Sequence, residues 1–199
     1  MLRLEKQSEK TALLIISGEI GPETISIPSG LDVLTVEIDS LGGDALGGLR
    51  VYNSIKNSDA KNKIAQIIMA MSAATLPMVA CNSIQMTSGS LVMIHGISDY
   101  TAINRGNAEQ IIRELNSLDD TYSKCYAEAS KTPAETFKKM MLTDTFLNAD
   151  DMLELGFNVE IVASGKTHLP SMQALKTTKK AANVPEMELT LELMKRFGF

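Results

Sequence analysis

Ser72 and His95 are the residues whose types and positions could carry out nucleophilic chemistry. A serine nucleophile needs a base, and histidine is the usual one. His95 ends the apolar stretch SLVMIHG (90–96), whereas the second histidine, His168, lies in a polar segment. Ser72 lies between an apolar predicted strand and a small-residue predicted helix, where its hydroxyl would be exposed as in a nucleophile elbow, although the G-x-S-x-G motif is absent. On these residues alone, a structural role for both side chains stays open.

A glycine-rich turn, DSLGGDALGG (39–48), follows another predicted strand and precedes a predicted helix. Turns of this kind often hold phosphates. The spacing excludes that use here, because Asp44 and Ala45 occupy positions where the dinucleotide fingerprint needs glycine, and no P-loop lysine follows Gly47 and Gly48. We expect these last two glycines to serve close packing.

The earlier glycine pair, Gly42 and Gly43, could bind a negatively charged group other than a phosphate. Adjacent glycines leave the backbone N–H groups unshielded and free to take unusual conformations. Such donors can hold a developing oxyanion when a nucleophile lies nearby. The N–H of Ala73, at the start of the predicted helix after Ser72, could point at the same spot. A tight turn made only for fit is the alternative.

The hydrophobic pattern predicts which elements position these residues. Apolar stretches predict strands at 11–20, 31–39, 63–71, 83–87, 90–96 and 157–162. In the first half of the chain, short helical stretches alternate with them, which predicts an α/β domain with a parallel sheet. From Asn107 to Ala129, apolar residues recur at steps of four and three, which predicts one long helix.

Composition narrows the class of protein. The net charge of −5 gives no electrostatic support for nucleic-acid binding, and no run of eighteen apolar residues predicts a membrane span. The N-terminal residues lack an apolar signal core, so we expect a cytoplasmic protein. The two cysteines, Cys81 and Cys125, form neither a disulfide framework nor a metal-ligand spacing. We expect one domain over residues 1–163, and a polar, lysine-rich linker or tail over 164–199 that could end in a short helix.

Four sequence blocks together resemble the Clp peptidase (ClpP) family of serine proteases in order and spacing. The blocks are IDSLGGDALGGLRVYNSI, MAMSAAT, LVMIHG and TDTFLNADDMLELGFNVEIV. Within the family, the sequence is most similar to the ClpP-like proteases of phages and prophages that act in head maturation. The resemblance implies an α/β fold of the ClpP and crotonase type, a repeated ββα superhelix with a long protruding handle helix.

The resemblance also implies roles for individual residues. Ser72 matches the nucleophile, His95 the general base, and Asp144 the acid that orients the histidine. Gly43 and Ala73 match the two backbone donors of the oxyanion hole. The implied reaction is peptide-bond cleavage through an acyl-enzyme, with no metal or organic cofactor.

Several positions depart from the family pattern. Ile68 stands where relatives usually have glycine, four residues before the nucleophile, and Leu41 stands where they commonly have proline. The third member of the triad is the least secure position, because Asp119 and Asp120 on the predicted long helix are acidic alternatives to Asp144.

The resemblance implies protein or peptide substrates, among which capsid or scaffold proteins are candidates. It implies a homo-oligomeric ring joined through the handle helix, residues 107–130. The short segment before the first predicted strand argues against an ATPase partner, although ATP-independent and ATPase-assisted cleavage both stay open. Two alternatives remain: a ring-forming assembly or scaffold protein of the same fold with weak or no catalysis, and a crotonase-type acyl-CoA enzyme. We expect no nucleic-acid or membrane partner.

Overall fold

The computed structural model describes residues 2–98 and 102–163. The predicted linker and terminal helix at 164–199 lie outside the described residues. The strands of the described part are β1 (Leu2–Lys6), β2 (Thr11–Ile20), β3 (Val33–Gly43), β4 (Asn62–Met71), β5 (Ser83–Ile94), β6 (Thr145–Leu147) and β7 (Val159–Ile161). Its helices are α1 (Ala45–Lys56), α2 (Thr75–Val79), α3 (Ala108–Ala129), α4 (Ala134–Met140) and α5 (Ala149–Glu154), and a 3₁₀ turn at Ser72–Ala74 leads into α2.

One mixed sheet organises these elements. Its first five strands follow the order β1-β2-β3-β4-β5, with β1 antiparallel to β2 and the next three pairs parallel. The far edge of β5 pairs with two short strands, antiparallel with β6 near its end and parallel with β7 near its beginning. The predicted α/β class with parallel central strands is therefore confirmed.

The core lies on both faces of the central strands. The first four residues of β3, Val33–Val36, are all buried, as expected for a parallel strand covered on both sides. Helix α2 is buried along its whole length, and α3 packs against α2 and α4. Among the described residues, no helix has the length and apolar character needed to cross a membrane.

Two of the long elements lie where the sequence predicts them. The strand predicted at 11–20 is β2, and the helix predicted from Asn107 is α3, with Asn107 at its N-cap. The two short strands predicted at 83–87 and 90–96 are wrong as separate elements, because β5 runs through both. The Ser90 hydroxyl donates to the Ile67 carbonyl at 2.6 Å and accepts the Thr87 N–H at 2.9 Å, which bridges the irregular stretch between them.

Gly47 and Gly48 let α1 pack directly on neighbouring backbone. A Cβ at Gly47 would lie 2.1 Å from the carbonyl oxygen of Gly21, and a Cβ at Gly48 would lie 2.7 Å from that of Ala73. Neither backbone oxygen can move aside as a flexible side chain would. The expectation that these glycines serve close packing is thereby confirmed.

Replacing Gly47 by alanine is expected to lower the free energy of unfolding by about 1–2 kcal/mol. Alanine gains about 1 kcal/mol in helix propensity, but overpacking against fixed backbone costs about 1–3 kcal/mol and wins at this distance. Urea denaturation measures the change. Gly89→Ala is the matched control, because its Cβ would meet only Thr87 Oγ1 at 3.8 Å. A Gly47→Ala protein as stable as that control would contradict this packing argument.

Candidate active site

Ser72 occupies a strained turn between β4 and α2. Its φ is +53°, and it is the only non-glycine residue with positive φ in residues 2–98 and 102–163. Such a conformation costs about 1–3 kcal/mol and persists where the surrounding structure enforces it, often at functional sites. The buried, small side chains of Ala70, Ala73 and Ala74 allow close packing around the turn. The predicted strand-to-helix turn at Ser72 is confirmed and has the sharp form of a nucleophile elbow.

His95 lies directly after β5 and contacts Ser72. Its Nε2 is 2.7 Å from Ser72 Oγ. The contact follows from topology, because β4 and β5 are parallel neighbours and their carboxyl ends meet at one edge of the sheet. When Nε2 carries no proton, the serine hydroxyl donates to it. Such a pair can pass the hydroxyl proton to the imidazole as the oxygen attacks a carbonyl carbon.

The glycine turn at the end of β3 packs against this nucleophile turn through Gly42. Gly42 has a φ of +99°. A Cβ there would lie 2.7 Å from both the Met71 carbonyl oxygen and Ser72 Cβ, and 3.0 Å from the Ala73 nitrogen. The Ser40 hydroxyl accepts the N–H of Gly42 at 3.1 Å and thereby fixes the turn. Sequence reasoning singled out Gly43, and it missed that Gly42 makes the closest approach to the serine.

Gly43 is held on the other side by β2. A Cβ on Gly43 would lie 2.3 Å from the Ile20 carbonyl oxygen, and the next residue, Asp44, donates its N–H to the same oxygen at 2.8 Å. The Asp44 side chain then accepts the N–H of Gly47 as the N-cap of α1. The two glycines therefore join the nucleophile turn to β2 and α1.

Asp144 directly precedes β6, the short strand that pairs with the end of β5. The antiparallel ladder between β5 and β6 runs from Val92–Leu147 to Ile94–Thr145, so His95 and Asp144 are the residues that adjoin its last pair. The Asp144 side chain is exposed, and no hydrogen bond within the described residues joins it to His95.

The acidic alternatives on α3 have other partners. Asp119 Oδ1 accepts the backbone N–H of Ile97, two residues after His95, at 2.7 Å. Asp120 pairs with Lys138 at 2.5 Å and Lys124 at 2.9 Å. These two ammonium groups lower the pKa of Asp120 to about 2, with Lys138 contributing more. Asp120 is therefore part of a surface ion-pair cluster, whereas Asp119 contacts the loop that carries His95.

The substitution of isoleucine for glycine at position 68 is accommodated by a bulge. Ile68 is skipped in the pairing of β4 with both β3 and β5. Its side chain is 48% exposed. A residue left unpaired in this way bends its strand and increases the local twist. About half of the larger side chain is therefore accommodated at the surface of the bulge.

Neither cysteine competes with Ser72 as a nucleophile. Burial raises the pKa of the Cys81 thiol to about 12 and also raises that of Cys125. The reactive form of cysteine is the thiolate, so the raised pKa disfavours reaction at either thiol. Within the described ranges, no group of three histidine, cysteine or acidic side chains could hold a metal ion.

The fold and the site together indicate the class of protein. An α/β domain with a strained serine turn, a histidine at hydrogen-bond distance and glycine-rich backbone beside them has the layout of a serine hydrolase. The family model for Clp protease matches residues 31–165, more than half of the chain. The chain therefore belongs to the Clp protease family.

The fold agrees with a solved structure of that family. A mutant form of ClpP1 from Listeria monocytogenes has a TM-score of 0.63 with this chain, at 18% sequence identity. The match covers 78% of this chain and 93% of that one. At this identity the likeness shows the fold alone. Comparison with curated proteins gave no match.

Proposed function

We propose that this protein is a serine endopeptidase that cleaves peptide bonds through an acyl-enzyme. The observation that carries the proposal is the 2.7 Å contact between His95 Nε2 and Ser72 Oγ at a strained turn. Membership of the Clp protease family supports it independently.

In the proposed reaction, His95 Nε2 takes the hydroxyl proton as Ser72 Oγ attacks the scissile carbonyl carbon. The tetrahedral intermediate then breaks its C–N bond, and His95 gives the proton to the leaving amine. An ester between the acyl part of the substrate and Ser72 remains. A water molecule that loses a proton to His95 attacks this ester, releases the acid and restores the serine hydroxyl.

The backbone N–H groups of Gly43 and Ala73 are the proposed oxyanion donors. The Ala73 N–H belongs to the first turn of the 3₁₀ segment, where N–H groups lack intrahelical partners. The Asp44 N–H points at β2, and N–H groups along a strand alternate between its two edges. We propose that the Gly43 N–H faces the opposite side from that of Asp44, towards β4, where Ser72 follows the strand. A Cβ built on Gly42 would lie 3.0 Å from the Ala73 nitrogen, which supports a glycine turn that lies close to the second donor.

Asp144 is the proposed acid of the triad, supported by the place of both Asp144 and His95 next to the Ile94–Thr145 pair that ends the β5–β6 ladder. Asp144→Asn is expected to lower kcat by about 10³- to 10⁴-fold, because an amide favours the wrong imidazole tautomer and does not stabilise its charge. Steady-state hydrolysis of a fluorogenic peptide measures the effect. Asp150→Asn, at an exposed site in the first turn of α5, is the matched control and should keep its activity. If Asp144→Asn retained the activity of that control, Asp144 would not be the orienting acid.

The proposed substrates are proteins and peptides, and the proposed assembly is a homo-oligomeric ring formed through residues 107–130. The 58% exposure of Ile112 on α3 supports an interface there. Light scattering coupled to size-exclusion chromatography tests the ring. A role in phage head maturation, with capsid or scaffold substrates, rests on the sequence resemblance, and portal and capsid genes beside this gene would support it. Comparing cleavage of peptides and folded proteins, with and without a candidate ATPase, tests ATPase assistance.

One observation favours a second candidate function. Asp144 is exposed and makes no hydrogen bond to His95 within the described residues, which suits an assembly or scaffold protein with weak or no catalysis. Incubation with casein and a fluorophosphonate separates the candidates. The proposed protease hydrolyses casein and is stopped by the reagent. Ring assembly without such hydrolysis would favour the scaffold, and acyl-CoA turnover insensitive to the reagent would favour the crotonase type.

A further inference from the structure

One face of α3 contacts three segments that build the candidate site. Asp119, Tyr122 and Tyr126 follow one another at spacings of three and four, so they share a helix face. Asp119 accepts the N–H of Ile97 at 2.7 Å, and the Tyr122 hydroxyl donates to the carbonyl oxygen of Ala45 at 2.8 Å. Tyr126 contacts the segment after the nucleophile turn through a hydrogen bond with Thr75. A single rigid helix thus touches the histidine loop, the helix after the glycine turn and the serine turn.

On the histidine side, the backbone N–H groups of the two residues after His95 donate hydrogen bonds to two different helices or their ends. The N–H of Gly96 donates to the carbonyl oxygen of Met141 at 2.6 Å, at the end of α4. The N–H of Ile97 donates to Asp119 Oδ1. These two bonds fix the direction in which the chain leaves His95.

On the serine side, the contact runs through Thr75. The Thr75 hydroxyl lies 2.6 Å from the Ser72 carbonyl oxygen and 2.6 Å from the Tyr126 hydroxyl. A carbonyl oxygen can only accept, so Thr75 donates its single proton to Ser72, and Tyr126 must donate to Thr75. Tyr126 and Thr75 are both buried, so water does not compete for these bonds. The backbone of the strained serine is therefore held by α3 through one intervening hydroxyl.

We propose that Asp119 and Tyr126 are positioning residues, which hold His95 and Ser72 at hydrogen-bond distance by fixing their loops to the same helix. The proposal rests on the proposed peptidase function. In this role Asp119 accepts a hydrogen bond from a backbone N–H, and it is not the acid that orients the imidazole. Position 119 then requires a side chain with an acceptor oxygen, but it does not require a negative charge.

Substitutions at Asp119 test this distinction. Asp119→Ala is expected to lower kcat by about 10- to 100-fold, because a misplacement of about 1 Å costs about 10²-fold, while KM changes little. Asp119→Asn keeps an acceptor oxygen and should restore kcat to within about threefold of the wild type. Asp120→Asn is the matched control, because its carboxylate pairs only with surface lysines among the described residues, and its kcat should not change.

Either of two results would overturn the proposal. Asp119→Ala with unchanged kcat would show that the loop does not need this bond. Asp119→Asn as inactive as Asp119→Ala would show that the charge matters, which is the property of a triad acid. Melting temperatures of all variants separate a loss of folding from a loss of positioning.

An NMR signal that does not depend on turnover distinguishes a failure of the positioning proposal from a failure of the peptidase proposal. The ring Cε1–H NMR signal of His95, identified by its loss in His95→Gln, should move in Asp119→Ala and stay in place in Asp119→Asn and Asp120→Asn. A wild type that fluorophosphonate does not label would refute the peptidase proposal, and this signal would still test the positioning. An unmoved signal in Asp119→Ala would overturn the positioning even in an active enzyme.

The two positioning residues should also be coupled. Tyr126→Phe removes the donor to Thr75, and we expect it to lower kcat as well. Because both substitutions loosen the same Ser72–His95 pair, the loss in the Asp119→Ala/Tyr126→Phe double variant should fall short of the product of the two single losses. A full product would mean that the residues act on separate parts of the molecule, contrary to the proposal.

Discussion

Replacing Ser72 by alanine is expected to lower kcat for peptide hydrolysis by about 10⁴- to 10⁶-fold. The hydroxyl oxygen is the atom that forms the acyl-enzyme bond, and alanine offers no nucleophile in its place. Burial raises the pKa of the Cys81 and Cys125 thiols, which disfavours their reactive thiolate form. Steady-state hydrolysis of a fluorogenic peptide, with active-site titration of the wild type, measures the loss.

The Ser72→Ala result is interpretable because the fold should not change. Serine and alanine both carry a Cβ, so the strain of the +53° φ is common to both proteins. Ser88→Ala is the matched control, since Ser88 is an exposed residue of β5, and its activity should equal that of the wild type. Hydrolysis by Ser72→Ala at the rate of this control would refute the assignment of the nucleophile.

The second large effect is expected at Gly42, whose replacement by alanine should lower kcat by about 10²-fold or more. The new Cβ would lie 2.7 Å from Ser72 Cβ and from the Met71 carbonyl oxygen, and 3.0 Å from the Ala73 nitrogen. Relief of these contacts must push the serine turn away from the glycine turn. The free energy of unfolding should fall by about 2–4 kcal/mol, from the clash and the φ of +99° together.

Gly30→Ala separates the two causes of the Gly42 effect. Gly30 has a φ of +75°, and a Cβ there would meet nothing within 4 Å. This control should lose about 1–2 kcal/mol of stability from the backbone conformation alone and keep full activity. If Gly42→Ala behaved like Gly30→Ala in both measurements, the packing of the glycine turn on Ser72 would not matter for catalysis.

The strand β2 and the helix α3 could be predicted from their long apolar patterns, whereas the short strands β1 and β6 could not. The apolar run of β2 and the stripe of α3 each contain enough residues for the pattern to exceed chance. β1 was not predicted, because Leu2 and Leu4 are too few apolar residues in a charged N-terminal segment. β6 has three residues, and its place is set by pairing with β5 and not by its own composition.

Some residues of the candidate site could also be predicted from the sequence, and others could not. Ser72 and His95 could be found because each follows an apolar strand, and parallel neighbours bring their ends together. The contacts of Asp119 and Tyr126 could not be found, since they depend on how α3 lies across loops that are distant in sequence. The close packing of Gly42 on the serine turn, and of Gly43 on β2, could not be found either, since it depends on which segment lies on each side of the glycine turn.

The most direct test of the central claim is to map the covalent adduct of a fluorophosphonate on the wild-type protein by mass spectrometry. We expect one adduct per chain, on the peptide that contains Ser72, and we expect no adduct in His95→Gln because the base is missing. A wild-type protein that forms no adduct, or one modified only at a different residue, would contradict the assignment of Ser72 and His95 as nucleophile and base.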